Sequence, residues 1–251
     1  MKRRILLANS MRRVAARLND LQALLNASAD RIDPPPPPPK PTPHEEMVAR
    51  WYAAGGESTL RYDYDLSPES IVFDLGAFEG EWTFGIFDRY GSRILAFEPM
   101  PRYSAALAKK VARNPRIRVF DFGLASTDRN ETLYESGPSS SIFRRNEEGV
   151  EIKLRSFKDF VEAEQIQTID LMKINIEGGE YDLLEHILDI GWVRSIRHLQ
   201  IQFHDFVPNA ASRREEIRNR LRLTHRERYC FDFVWEGWSR LTDDDPHDQG
   251  A

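Results

Sequence analysis

Two short apolar runs, Ile71–Leu75 and Ile94–Phe97, constrain this chain most: the first carries Asp74 and passes straight into a glycine turn, and the second ends at Glu98. Near-continuous apolar runs of this length read as strands buried on both faces of a parallel sheet. In open α/β sheets ligands bind outside the carboxyl ends of such strands, so function is expected at these exits. In Ile71-Val-Phe-Asp-Leu-Gly-Ala-Phe-Glu-Gly80, Gly76 permits the sharp turn and Gly80 a close approach that a Cβ would block. Glu98 follows the turn by roughly 20 residues, the separation at which a second-strand carboxylate accepts hydrogen bonds from ribose hydroxyls.

The turn lacks the Gly-x-Gly-x-x-Gly pattern of a dinucleotide site, which weakens a nucleotide-dependent oxidoreductase as the rival reading. Two carboxylates crowd the loop where a pyrophosphate needs positive potential. A cofactor bearing an ammonium or sulfonium suits that field better, which points to S-adenosyl-L-methionine. The candidate cofactor-binding residues are Asp74, Gly76, Phe78, Glu79, Gly80 and Glu98.

Strands and helices alternate from Ile71 onward. Candidate strands cover Ile71–Leu75, Arg93–Phe97, Ile117–Phe122, Ile169–Ile174 and Ile196–Phe203, with a late pair around Phe231–Trp235 and the segment after it. Trp82, Ile86 and Tyr90 form one helical stripe, and Tyr103, Leu107 and Val111 another. This alternation predicts an α/β, doubly wound, mostly parallel sheet flanked by helices. The excursion Asn130–Phe160 reads either as an acceptor lid or as a surface loop.

The order of motifs resembles the FkbM-type methyltransferases, of the S-adenosylmethionine-dependent Rossmann-like class. The likeness runs from about Tyr62 to Arg240 and rests on Val72-Phe-Asp-Leu-Gly-Ala-Phe-Glu-Gly80, Ala96-Phe-Glu-Pro99, Phe122-Gly-Leu-Ala-Ser126, Leu171-Met-Lys-Ile-Asn-Ile-Glu-Gly-Gly-Glu180, Ile201-Gln-Phe-His204 and Phe233-Val-Trp-Glu-Gly-Trp238. The resemblance implies methyl transfer to hydroxyls, often of sugars or polyketides, and makes Asp121 a partner for the adenine amino group. Where many relatives carry Asp, this chain has Asn175.

The fourth and fifth strands break the apolar rule. Lys173, Asn175 and Glu177 share one side by the two-residue period, and His198, Gln200, Gln202 and His204 do the same, which reads either as a partly wet sheet face or as a site. The strand-exit residues Asn175, Glu177 and His204 are the catalytic candidates. Methyl transfer from a sulfonium is an in-line displacement that chiefly needs a positioned acceptor. A base that takes the hydroxyl proton adds typically about 10²- to 10⁴-fold. His204 is the first candidate for that base, oriented by Asp205 or Glu177. Glu177, Glu180, His204 and Asp205 offer hard ligands but no recognisable metal spacing, so no metal is expected.

The remaining features set the context. One cysteine, Cys230, excludes an internal disulfide, and no apolar run approaches the roughly 20 residues that span a bilayer. A cytoplasmic protein is expected. A formal net charge of -5 argues against bulk nucleic-acid binding. Leu7, Met11, Val14, Leu18, Leu21, Leu25, Ser28 and Ile32 follow heptad spacing, so residues 1–33 read as a coiled-coil helix that makes a homo-oligomer. Their seven cations against three anions also suit a helix lying on an anionic membrane surface. Residues 34–43 read as a polyproline spacer, 44–242 as the methyltransferase domain and 243–251 as a disordered acidic tail. Arg213–Arg228 reads as a helix with a solvated basic face. Against an enzyme acting on a carbohydrate hydroxyl stands a catalytically silent cofactor-binding scaffold assembled by the heptads.

Overall fold

Thr42 caps the first helix of the domain as its sequence requires: its hydroxyl accepts the Glu45 amide at 3.2 Å, and the Glu45 carboxylate accepts the Thr42 amide at 2.7 Å. The structure is a computed structural model describing residues 17–22, 39–136, 139–141 and 149–242. The chain divides into two units, Met1–Pro41 and Thr42–Ala251. In the first, residues 17–22 are helical with Leu18 and Leu21 exposed; the rest of the heptad segment, the prolines 34–38 and the acidic tail lie outside the described residues.

The second unit runs α1 (Pro43–Ala53), β1 (Ile71–Leu75), α2 (Glu81–Tyr90), β2 (Arg93–Phe97), α3 (Pro101–Val111), β3 (Ile117–Phe120), β4 (Gly123–Ala125), β5 (Arg129–Ser136), β6 (Ser139–Ser141), β7 (Gly149–Ser156), α4 (Phe157–Ala163), β8 (Ile169–Ile174), α5 (Glu180–Asp189), β9 (Ile196–Ile201), α6 (Ala210–Leu221), β10 (His225–Phe231) and β11 (Trp235–Arg240). The main sheet has seven strands in the order β10-β11-β9-β8-β1-β2-β3. Its central strands are parallel, and β11 runs antiparallel to both neighbours. This is the doubly wound α/β sheet that the alternation predicts. The order reverses at β1, so the exits of β1 and β8 open on opposite connections and leave a crevice.

Apolar side chains from both faces seal the sheet. Val72, Phe73, Ile94, Leu95, Met172 and Leu199 have no exposed surface, and each such side chain contributes about 1.5–3 kcal/mol of burial. Phe160 on α4 packs edge-on against Phe97 at 5.0 Å and Phe120 at 5.1 Å, while Phe97 and Phe120 stack at 4.9 Å. These rings join α4 to β2 and β3.

Three expectations are corrected. The described part of the excursion Asn130–Phe160 supplies β5, β6 and β7 to a second sheet, β4-β7-β5-β6, where a loop was expected; Val150, Ile152 and Leu154 alternate with charged residues as a half-buried strand demands. The late strand pair lies to either side of this point, Phe231 closing β10 and Trp235 opening β11, so that only Asp232–Val234 is a turn, with Phe233 at φ 55°. The basic helix ends at Leu221 and its basic residues are solvated only in part: Arg213 and Arg220 are half-exposed, whereas Arg214 and Arg218, both buried, bind Glu236 on β11, itself 1% exposed. A carboxylate buried in a strand needs such partners, and these come from the helix that precedes the β10–β11 hairpin.

Candidate functional site

The register of the two central strands sets Asp74 on β1 beside Lys173 on β8. Lys173 Nζ donates to Asp74 Oδ1 at 3.0 Å and to the Gly76 carbonyl at 2.8 Å, while Thr83 Oγ1 donates to Asp74 Oδ2 at 2.5 Å. Asp74 is fully buried behind the turn and is absent from the cleft wall. Its charge is matched by Lys173, which corrects the picture of two carboxylates facing the cofactor. The pair clamps the turn from beneath.

That turn lies against β8. A Cβ on Gly76, which sits at φ 78°, would meet the Asn175 carbonyl oxygen at 1.9 Å, so only glycine fits. Gly80 caps α2, and a Cβ there would strike Leu107 at 2.4 Å, so its role is packing. Phe78 takes a left-handed φ of 49° and presents its ring to the cleft, 4.3 Å from that of Tyr103. Glu79 is exposed and Asp121 is exposed one residue past β3; neither lines the cleft.

Glu98 does line it. Its two carboxylate oxygens accept the Phe78 amide at 2.7 Å and the Met100 amide at 2.9 Å, which ties the glycine turn to the β2 exit. Burial raises the Glu98 pKa, opposed by those two amides and by Lys173. Glu177 and Asn175 complete the polar wall. Asn175 Oδ1 is buried without a hydrogen-bond partner among the described residues, an atom in want of a donor. Glu177 stands at φ 54°, a second non-glycine residue held left-handed at the cleft. Such conformations cost about 1–3 kcal/mol and cluster at ligand sites.

His204 stands beside this wall and not in it. Its Nδ1 bonds Glu180 Oε1 at 3.0 Å, its backbone amide donates to the same oxygen at 2.9 Å, and its Nε2 lies 3.5 Å from Glu177 Oε2. Glu180 has no exposed surface and also accepts the Gly178 amide at 2.9 Å. The orienting group is therefore Glu180, where the sequence suggested Asp205 or Glu177. Burial pulls the His204 pKa down, but the Glu180 bond and the charges of Glu180, Glu177 and Asp205 outweigh it and hold it above the ordinary value.

The polar row on β9 faces away from the cleft. His198 Nδ1 bonds Ser239 Oγ at 2.8 Å and Gln200 Nε2 donates to the Tyr229 hydroxyl at 3.0 Å, both buried. The opposite wall of the cleft is made by Arg129, Glu131 and Leu133 of β5 with Ile152 and Leu154 of β7; sequence reading offered this segment as an acceptor lid but named none of these residues and gave it no strands. The signal was the alternation in Gly149–Ser156.

A parallel sheet with a glycine turn at β1, a carboxylate after β2 and a polar crevice between the β1 and β8 exits defines a Rossmann-like methyltransferase. The family model described as "Methyltransferase FkbM domain" matches residues 74–230, and the chain belongs to that family. It is 25% identical over 203 residues to the AMB antimetabolite synthetase AmbE of Pseudomonas aeruginosa, with 64% of this chain and 10% of that protein covered. It is 24% identical over 160 residues to Methyltransferase 1 of Beauveria bassiana, with 51% of this chain and 64% of that one covered. The chain thus spans under two thirds of the length of either relative. Among solved structures it is similar to a putative rRNA-methylase from Clostridium thermocellum (TM-score 0.44, 9% identity, 70% of this chain and 89% of that one). It is also similar to an rRNA methylase from Streptococcus thermophilus (TM-score 0.44, 12% identity, 81% and 99%).

The methyl donor implied by the family is S-adenosylmethionine, and the residues present fit it. Glu98 supplies a carboxylate for ribose hydroxyls, Gly76 a turn closed to any side chain, and Phe78 and Tyr103 aromatic faces. Among the described residues no helix is long and apolar enough to cross a membrane.

Proposed function

We propose that this chain is an O-methyltransferase that methylates a hydroxyl of a sugar or glycan. The observation that carries the reading is the run Glu180, His204, Glu177, in which a buried carboxylate anchors the imidazole whose far nitrogen stands 3.5 Å from a carboxylate of the cleft wall. When bound, the donor supplies an electrophilic methyl group. Glu98 and the Gly76 turn hold its nucleoside; Asn175 and Glu177 hold and orient the acceptor hydroxyl. With Nδ1–H given to Glu180, Nε2 is the open lone pair that receives the hydroxyl proton by way of Glu177. The β5 and β7 residues across the cleft exclude water from the displacement. Arg129 is matched there by Glu131 and Asp182, so the wall offers hydrogen bonds to a polyol without a net positive field.

The same reading assigns residues 7–32 to self-association through their heptads, grouping several clefts around one long acceptor, and places the enzyme in the cytoplasm. The test is mass spectrometry of activated sugars and glycans incubated with enzyme and donor. A gain of one methyl on a hydroxyl, with release of S-adenosylhomocysteine, is the expected result. Methylation confined to RNA or to nitrogen acceptors, or no turnover at all, contradicts the assignment.

A further inference from the structure

A second pocket, of ≈ 460 Å³, opens at the other end of the sheet, where the starts of β9 and β10 and the end of β11 meet residues 63–65. β9 is six residues long, so this pocket lies roughly 20 Å from the cleft along the strand direction. Its charged lining is four arginines, Arg197, Arg226, Arg228 and Arg240, against two aspartates, Asp63 and Asp65. That leaves two positive charges in excess on a chain whose formal net charge is -5.

Backbone carbonyls hold three of these guanidinium groups. Arg197 Nη1 donates to the Asp65 carbonyl at 2.8 Å and its Nη2 to the Asp65 carboxylate at 2.7 Å. Arg228 Nη2 donates to the Asp63 carbonyl at 2.8 Å, with its guanidinium 4.6 Å from the Tyr64 ring centroid. Arg240 Nη1 donates to the Arg194 carbonyl at 2.8 Å. A carbonyl fixes a guanidinium without cancelling its charge, and each guanidinium has five N–H donors, so positive potential and donors remain to be used. The pocket wall also includes His198, 9% exposed, whose buried Nε2 has no hydrogen-bond partner among the described residues. Burial, followed by the charges of Arg197 and Arg228, holds its pKa down to about 3. The imidazole therefore stays neutral, and the arginine field reaches the pocket wall.

We propose that this pocket binds a phosphate-type oxyanion carried on a small soluble molecule, at a site separate from the methyl-transfer cleft. A dianion matches the two excess charges, and the planar fork of arginine matches phosphate oxygens in pairs. Neither a sulfonium donor nor a neutral hydroxyl acceptor answers that field. The inference stands apart from the proposed reaction.

The test is isothermal titration of the full chain with inorganic pyrophosphate at low ionic strength. Saturable one-site binding is expected, weakened at least about tenfold in Arg228→Gln and in Arg240→Gln and unchanged in Arg222→Gln, an exposed arginine elsewhere. S-adenosylmethionine affinity stays the same in all three. Arg240 is exposed, so Arg240→Gln decides the matter should Arg228→Gln fail to fold. Absence of saturable heat, or equal weakening by Arg222→Gln, overturns the site. Binding to phosphatidic acid vesicles without binding to pyrophosphate overturns the assignment to a soluble ligand.

Discussion

Replacing Lys173 by methionine tests how the glycine turn is held. Methionine keeps an unbranched apolar stem and removes the ammonium, so Asp74 loses its 3.0 Å partner and the Gly76 carbonyl its 2.8 Å donor. Asp74 then keeps only the Thr83 hydroxyl, inside a site with no exposed surface. Breaking a buried ion pair from one side costs about 3–5 kcal/mol, whereas replacing both partners by apolar groups is often near neutral. A domain of about 200 residues shifts by about 2–4 °C per kcal/mol, so Lys173→Met is expected to lower Tm by about 6–20 °C. The double variant Asp74→Leu/Lys173→Met is expected to recover most of that loss. Calorimetry and urea unfolding of the four proteins close a double-mutant cycle. A single variant that loses under about 1 kcal/mol, or a double variant no more stable than Lys173→Met, refutes the clamp.

Three further outcomes are expected. Because His204 must be neutral to accept a proton and its pKa is raised, turnover rises with pH through a midpoint above about 6.5, and His204→Ala removes that limb; its contribution to stability has the opposite sense, present below about pH 6.5 and lost as pH rises through the folded-state value. Rate profiles and melts across pH read the two separately, and a midpoint below 6.5 contradicts the Glu180 anchor. Glu177→Gly frees a position held at φ 54°, so it is expected to stay within about 1 kcal/mol of the parent while turnover collapses; a large loss of stability gives Glu177 a structural role instead. Removing residues 1–39 is expected to leave the melting transition in place and reduce the mass seen by light scattering, and an unchanged mass removes the heptad assignment.

The central strands were legible because burial on both faces writes an apolar run whatever the neighbours are. Ile71–Leu75, Arg93–Phe97 and Ile169–Ile174 begin and end where composition puts them. Gly76 and Glu98 were legible for a related reason, since a turn closed to side chains and a carboxylate at a strand end are local demands. Pairings across the chain were not. Asp74 reads as a ligand until the register with Lys173 is known, and Arg214 and Arg218 read as solvated until Glu236 is found beneath them. Lys173, a base in an apolar strand, carried the signal, but its partner lies 99 residues away. The turn at Asp232–Val234 escaped notice because Phe233 within it and Phe231 and Trp235 beside it favour strands, and only the left-handed φ of Phe233 breaks the run.

The measurement that bears most directly on the whole account is calorimetric titration of S-adenosylmethionine into the parent protein and Glu98→Ala. The account predicts one saturable site in the parent and at least about a tenfold weaker site in the variant, with both proteins folded. Equal affinity in the two, or no binding by the parent, contradicts it.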